Sequence, residues 1–206
     1  MTGAENDDET VQQNCCGIHA GYLYSAGVNR MEGTRELKTE RLVLRRYRME
    51  DAVELYEKFG SDPEMYRYSG WNPYASVQMA EMTIQDFIGN YEKTDFYGWA
   101  VVYRGELVGT IGAYDYDAGR GQIETGYSIA RSFWGRGFAA EALRCVLLYL
   151  TEQEGIHTVT AWCASENTGS MKTMLKAGMK LTHTEKNGLE AEGKTYDKLY
   201  FAYPAE

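Results

Sequence analysis

Three strand-like segments follow one another between residues 97 and 130, with only short turns between them. YGWAVVY and ELVGTIGAYDY are separated by Arg104 and Gly105, a two-residue connection typical of a hairpin. GQIETGYSIA follows the turn from Asp117 to Arg120. Strands joined in series by short turns pair as an antiparallel meander. The chain must therefore fold around an antiparallel sheet, with its other elements packed beside it or on its faces.

Helices and further strands flank this meander. A strand over residues 40–47 and helical patterns over 49–60 and 76–91 precede it. It is followed by a helix to about residue 154, a strand over 157–163, a helix over 167–179, and strands over 180–185 and 194–203. The order β-α-α-β-β-β-α-β-α-β-β predicts one α+β domain, with a mixed, mostly antiparallel sheet flanked by helices.

The helical patterns also predict which side of each helix is buried. The stripe of the long helix consists of Phe138, Ala142, Val146 and Tyr149. Glu141 and Arg144 are expected to face away from that stripe. In the helix over 76–91, the same spacing selects Met79, Met82 or Thr83, and Phe87.

The net charge of −9 argues against classes of protein that need a basic face. Nucleic-acid binding requires clustered Lys and Arg, and no apolar run approaches the ~20 residues that span a bilayer. We therefore expect neither nucleic acid nor a membrane as a partner. The acidic start MTGAENDDET differs from a basic signal peptide, which indicates a cytoplasmic protein. The four cysteines lack zinc spacing, and no metal is expected.

Residues 1–36 show no clean periodicity and contain many small or polar residues. This predicts a mobile N-terminal extension that is dispensable for folding and cofactor binding. Met31 is a candidate for an alternative start within it. The folded domain is expected over residues 37–206.

The stretch SFWGRGFAAEALR, residues 132–144, leads from the meander into the long helix. The first N–H groups of a helix lack intrahelical partners and carry partial positive charge. Glycines in front of them let an anion approach the backbone closely. With Arg131 and Arg136 nearby, the stretch predicts a pyrophosphate site. The alternative is a glycine-rich turn with a solvated arginine.

Known nucleotide motifs do not explain these glycines. No Gly-Lys-Ser/Thr of a Walker loop occurs in the chain. Gly135, Gly137 and Ala140 match the dinucleotide pattern G-x-G-x-x-A. However, an antiparallel meander precedes them, and the next strand ends in Cys163 where that fold places an acid.

Taken together, these segments resemble the GNAT N-acetyltransferases. IETGYSIARSFWGRGFAAEAL is similar to that family's acetyl-CoA-binding core, in the branch that includes ribosomal-protein-alanine acetyltransferases. The resemblance continues, in the family's order, through TERLVLRRY, WNPY, GELVGTIG, ENTGSMKTMLKAGM and GKTYDKLYFAY, over about residues 37 to 203. It implies a GNAT-like fold and acetyl-CoA as co-substrate.

The resemblance also implies how CoA would be held. Backbone N–H groups of the loop would bind its pyrophosphate, from Gly135, Arg136, Gly137, Phe138 and Ala139. The pantetheine arm would lie like an added strand beside Ser128, Ile129 and Ala130. The family's loop begins with Gln or Arg, and here Trp134 occupies that position. Related branches of the family also carry a Trp there.

The helix over 167–179 has Asn167 or Thr168 near its cap. By resemblance, Asn167 and Ser170 match the family's N-x-x-S helix start near the pantetheine and the sulfur. By resemblance Ser170 is the proton donor to the leaving thiolate; otherwise it bonds to the backbone in the first turn of the helix. Lys172 and Lys176 could meet the CoA 3′-phosphate or form a solvated face.

Glu124, on the last strand of the meander, is the expected general base, because several GNAT members place a catalytic glutamate there. Otherwise it is a solvent-facing strand residue. His183, Glu190 and Glu192 are reserve candidates for acid–base work, or else loop and surface residues.

The loop that walls the acceptor site in related enzymes is rich in aromatic residues here, namely Tyr66, Tyr68, Trp71 and Tyr74. Tyr68, Trp71 and Tyr74 are the expected substrate-binding residues, because such rings can stack on an acceptor or hold a cation. The alternative is that they pack against the domain.

The resulting hypothesis is an N-acetyltransferase that moves an acetyl group from acetyl-CoA to a primary amine by direct transfer in a ternary complex. The acceptor stays open between a small molecule and a protein N-terminus, and the oligomeric state stays open, a dimer included. One alternative is a non-catalytic acyl-CoA-binding module. The other is an NAD-dependent oxidoreductase, which the position of the glycine motif disfavours.

Overall fold

The computed structural model describes residues 31–68 and 73–204. Its strands are β1 (Leu37–Lys38), β2 (Val43–Arg45), β3 (Tyr97–Tyr103), β4 (Glu106–Asp117), β5 (Gln122–Ile129), β6 (Thr158–Ala164), β7 (Lys180–Ala191) and β8 (Lys194–Tyr203). They form one sheet in the order β1-β2-β3-β4-β5-β6-β8-β7. β5 and β6 are parallel, and the other neighbours are antiparallel. The predicted mixed sheet and its central meander are confirmed.

The helices are α1 (Ala52–Leu55), α2 (Val77–Asn90), α3 (Phe138–Leu148) and α4 (Thr168–Ala177). α1 continues as a wider turn over Tyr56–Gly60, and α3 does so over Tyr149–Gln153. Within the described residues, no helix combines the length and the apolar character needed to cross a membrane.

The two faces of the sheet carry different helices, as two neighbouring residues on β3 show. Phe87 of α2 lies against Gly98. Trp99 points to the other face, where its ring meets Tyr149, at the end of α3, edge-on at 5.9 Å. α2 therefore covers one face and α3 the other.

The predicted first strand is shorter in the structure, and an unpredicted strand precedes it. β2 covers only residues 43–45 of the predicted 40–47, and β1, over residues 37–38, pairs with it across a tight turn. Thr39 N donates to Leu42 O at 3.0 Å, and the Thr39 hydroxyl accepts from Leu42 N at 2.9 Å. This local turn reverses the chain, which the alternation of apolar residues alone could not show.

The burial predictions were right for α3 and partly wrong for α2. All four residues of the predicted α3 stripe are buried. On α2, Ala80 and Ile84 are fully buried, whereas Met79 and Met82 are 43% and 64% exposed. Both sets have helical spacing, and periodicity cannot tell which of two adjacent stripes faces the sheet.

The folded domain begins before residue 37, which was the boundary predicted from the sequence. Glu32 N and Gly33 N donate to the Glu154 carboxylate at 2.9 and 3.3 Å. Glu154 is 4% exposed and also accepts from the hydroxyls of Tyr97 and Tyr149, at 2.6 and 2.8 Å. Neutral donors thus satisfy a buried carboxylate, and two of them come from the segment expected to be mobile.

This network predicts where the chain can be shortened. A protein that starts at Met31 should keep both donors and bind acetyl-CoA like the full chain. A protein that starts at Thr34 loses them, and we expect its free energy of unfolding to fall by about 2 kcal/mol, the size of a hydrogen bond to a charged group. Urea unfolding of the two proteins measures the difference. Equal stabilities would show that Glu154 does not need these donors.

Candidate active site

β5 and β6 lie side by side only at their beginnings. Their pairing covers residues 122–124 of β5 and 158–160 of β6. β5 nevertheless continues to Ile129, and β6 continues to Ala164. The two parallel strands therefore diverge and leave a wedge between residues 125–129 and 161–164.

The backbone of β5 presents hydrogen-bonding groups to this wedge. Ala130 N donates to Val108 O, on β4, at 3.0 Å. Because successive residues of an antiparallel strand alternate in the side to which their N–H points, Tyr127 and Ile129 direct theirs away from β4 and toward the wedge. Of the predicted arm residues, Ile129 therefore offers an N–H to a ligand, whereas Ser128 and Ala130 bond to β4. Tyr127 was not predicted.

The glycine loop follows at the end of β5. Gly135 and Gly137 both have positive φ, 76° and 80°, which glycine adopts without strain. Gly137 is the N-cap of α3, and the first intrahelical donor is Glu141 N, at 3.1 Å from Gly137 O. The N–H groups of the first turn therefore have no helical acceptor. Phe138 has a buried side chain, so it can contribute only its N–H.

This part of the structure fits the pyrophosphate and pantetheine of CoA. Nothing lies within 4 Å of the position that a Cβ would take at Gly135, which leaves the loop backbone approachable. Arg136 keeps its guanidinium over the Phe133 ring, 4.8 Å from the centroid. Arg131 is paired with Asp62 at 3.0 Å, so its charge is already partly compensated.

Arg41 holds the glycine loop in place. Its Nη1 donates to Arg136 O at 3.0 Å, its Nε donates to Glu141 Oε2 at 2.7 Å, and its guanidinium lies over the Phe138 ring at 4.7 Å. Glu141 faces away from the apolar stripe of α3, as expected, but it is not left to solvent, because Arg41 and Thr39 reach it from the turn between β1 and β2. Sequence reasoning missed this contact because 100 residues separate its partners.

Replacement of Arg41 should therefore weaken CoA binding without unfolding the domain. Arg41→Gln removes the ion pair and the bond to Arg136 O, and we expect the Kd for acetyl-CoA to rise about tenfold, the equivalent of one charged hydrogen bond. Arg120→Gln is the matched control, since its side chain is 78% exposed on another turn. Calorimetric titration gives both constants. Equal affinities of the two variants would contradict a role for Arg41 in the loop.

α4 begins beside the wedge. Asn167, one of the two residues predicted near the cap, is its N-cap, and its Oδ1 accepts from Ser170 N at 3.1 Å. The Ser170 hydroxyl lies 2.9 Å from the Tyr127 hydroxyl, which also donates to Ser170 O at 3.1 Å. Burial raises the pKa of Tyr127 well above its usual range. Tyr127 therefore stays a neutral phenol and fixes the position of the Ser170 side chain.

Glu124 lies on the opposite face of β5, where the pairing with β6 ends. Its Oε1 accepts from Trp162 Nε1 at 2.8 Å. Tyr114 lies opposite Glu124 across the ladder on β4, and its pKa is raised by burial first and then by the charge of Glu124. The carboxylate is half-buried and has neighbours on both sides. A fixed carboxylate of this kind can attract a cationic amine and accept a proton from it.

Tyr68 and Tyr74, in the segment between α1 and α2, have different surroundings. Tyr68 packs edge-on against Tyr196 at 5.5 Å, and so joins this segment to β8. Tyr74 packs against Gly60 and the main core, with Tyr66 6.4 Å away. Trp71 lies outside the described residues.

The reserve candidates are dispersed. His183 stacks on Tyr200 at 4.2 Å, on the same side of the sheet as Glu124. Glu190 is exposed on β7, and Glu192 is exposed in the turn that follows it. Lys172 and Lys176 are exposed along α4.

Comparisons with known proteins show the family to which the chain belongs. The model of the acetyltransferase (GNAT) domain family matches residues 41–180. The N-acetyltransferase p20 of Bacillus licheniformis is 30% identical over 168 residues, which cover 81% of this chain and 94% of p20. The chain therefore belongs to the GNAT acetyltransferase family, and it is an acetyltransferase.

Solved structures show the same fold. A GNAT-family acetyltransferase from Bacillus anthracis superimposes with a TM-score of 0.72 at 24% identity, over 82% of this chain and 97% of that one. RimL, a ribosomal L7/L12 alpha-N-protein acetyltransferase in complex with coenzyme A, superimposes with a TM-score of 0.73 at 16% identity, over 80% and 94% of the chains. At these identities the likeness concerns the fold.

Proposed function

We propose that this chain transfers an acetyl group from acetyl-CoA to a primary amine, with both substrates bound at once and no acyl-enzyme intermediate. The observation that carries the proposal is the wedge itself, which opens between a fixed carboxylate at Glu124 and the hydroxyl pair of Tyr127 and Ser170. RimL, with the same fold, binds coenzyme A. Acetyl-CoA supplies an acetyl thioester whose transfer to an amine takes a proton from nitrogen and returns one to sulfur.

The loop and the wedge would hold the co-substrate. The free N–H groups at the start of α3 suit the pyrophosphate, and those of Tyr127 and Ile129 suit the amide groups of an extended arm. A strand N–H at this edge is also a suitable donor to the thioester oxygen as it gains charge. Holding the two substrates together supplies a large share of the rate enhancement.

Glu124 acts on the amine of the acceptor. An amine with a pKa of ~10.4 arrives almost wholly protonated at neutral pH, so a proton must be removed before the nitrogen can attack. The Glu124 carboxylate draws the cation and accepts that proton, directly or through a water molecule. Trp162 keeps the carboxylate in position, because its indole N–H donates to Oε1.

Ser170 acts on the sulfur of the leaving thiolate. Its hydroxyl is the proton donor, and Tyr127 is a positioning residue that acts through it. Cys163, on β6, is unsuited to forming an acyl-enzyme, because burial raises the pKa of its thiol to about 11 and keeps it protonated. Direct transfer is therefore favoured over a two-step route through that cysteine.

A two-part experiment tests the proposal. Acetyl-CoA and NAD are each added to the protein in a thermal-shift measurement, and we expect Tm to rise with acetyl-CoA alone. Thiol release from acetyl-CoA is then followed with a panel of amines. Binding without transfer to any amine would favour the acyl-CoA-binding module, and a Tm increase with NAD would favour the oxidoreductase.

A further inference from the structure

The side of the sheet that carries Glu124 also holds a fixed positive charge. Trp162 and Tyr200 are direct partners across β6 and β8, and Lys198 lies two residues before Tyr200 on the same face. Lys198 Nζ lies 4.2 Å from the Trp162 ring and 4.8 Å from the Tyr200 ring. Since Trp162 also donates to Glu124, one indole is in contact with both a carboxylate and an ammonium group.

Glu185, the acid beside Lys198, is hydrogen-bonded to another residue rather than paired with this lysine. Glu185 is opposite Lys198 in the ladder, but its Oε2 accepts from the Tyr200 hydroxyl at 2.8 Å. Cation–π contact holds an ammonium group in place without neutralising its charge. Lys198 therefore presents a positive charge to whatever binds above Trp162.

The charge pair constrains the acceptor of the proposed reaction. A cationic amine drawn to Glu124 would be repelled by Lys198 unless the acceptor brings its own negative charge. A polyamine would place a second cation near Lys198, which is unfavourable. An acceptor with a carboxylate close to its amine satisfies both charges at once.

We propose that the acceptor is an amine with a nearby carboxylate, bound with its nitrogen at Glu124 and its carboxylate at Lys198. The inference rests on the proposed function. Two sources have this chemistry, namely a free amino acid and a peptide N-terminus with an acidic residue close behind it.

Matched acceptors test the idea and separate the sources. Alanine is compared with alaninamide, and the peptide amide Ala-Asp-Ala-Ala with Ala-Asn-Ala-Ala; spermidine is the polycationic arm. For at least one pair, kcat/KM should be about tenfold or more higher for the member with the carboxylate, the size of one hydrogen bond to a charged group. Lys198→Gln should remove that preference mainly by raising KM. Binding of the same pair to the CoA-loaded protein, followed by titration, should show the same difference.

Lys186→Gln is the control, since Lys186 is 81% exposed on the same hairpin and paired with Asp197. It should keep the preference. Three results would overturn the inference: equal use of both members of each pair, preferred use of spermidine, or an equal loss for both members in Lys198→Gln. In each of these cases acetyl transfer itself would still support the proposed function. Acetyl-CoA binding without acetylation of any carboxylate-bearing member would also overturn it. Absence of acetyl-CoA binding would instead count against the proposed function.

Discussion

Glu124→Gln should lower kcat by roughly 10²–10⁴ at neutral pH, the contribution typical of a general base. The substitution keeps the side chain's shape, and its amide oxygen can still accept the hydrogen bond from Trp162 Nε1. Acetyl-CoA affinity should be unchanged, because the carboxylate lies on the face opposite Ser170. The remaining rate should rise with pH, as more of the amine arrives deprotonated. Steady-state kinetics from neutral to alkaline pH measure both effects.

The same kinetics separate a base from a charge that only attracts the amine. In the second case the substitution would mainly raise the KM of the amine and leave kcat nearly intact. Glu190→Gln is the control, because it removes an exposed carboxylate on β7 and should retain full activity. A kcat for Glu124→Gln within a few-fold of the unaltered protein would remove Glu124 from the mechanism and direct the search to His183.

Gly137→Val should raise the Kd for acetyl-CoA by about one to two orders of magnitude while the domain stays folded. Gly137 has φ of 80°, a conformation that a β-branched residue adopts only with strain, and the branched side chain would obstruct close approach of pyrophosphate to the loop. The loop should then shift and withdraw the N–H groups that converge at the start of α3. Calorimetric titration with acetyl-CoA gives the affinity, and circular dichroism verifies the fold.

Gly193→Val separates strain from binding. Gly193 has a similar φ of 69° and no neighbour within 4 Å of its would-be Cβ, but it lies in the turn between β7 and β8. Both variants should lose similar stability, and only Gly137→Val should lose affinity. Unchanged affinity in Gly137→Val would mean that the glycine serves the turn alone.

Short-range patterns were enough to predict most of the fold. The hairpin at Arg104-Gly105, the four-residue stripe of α3 and the Asn167 cap of α4 are each decided by neighbours within a few residues, and each is confirmed. The extent of the first strand, which the turn at Thr39 shortens, and the buried side of α2 were predicted wrongly, because both depend on which of two locally acceptable arrangements packs better.

The glycine loop was found from sequence because the chemistry of a helix start depends on consecutive residues. Its support by Arg41 could not be found this way, since the turn that carries Arg41 reaches α3 only in the folded chain. The same holds for Tyr127 with Ser170, and for Lys198 with Trp162, which meet across neighbouring elements.

The sequence by itself determined most of the order of elements and the loop suited to an anion, because these depend on local backbone preference. Glu124 became a candidate base through the resemblance to GNAT members. Only the tertiary structure decided that β5 and β6 diverge after residue 124, and that Ser170 and Glu124 lie on opposite faces of the resulting wedge. It also decided that Lys198 lies beside Trp162, the indole that donates to Glu124. The physical reason is that register, strand divergence and contacts between distant residues arise from packing of the whole sheet against its helices, which no local window contains.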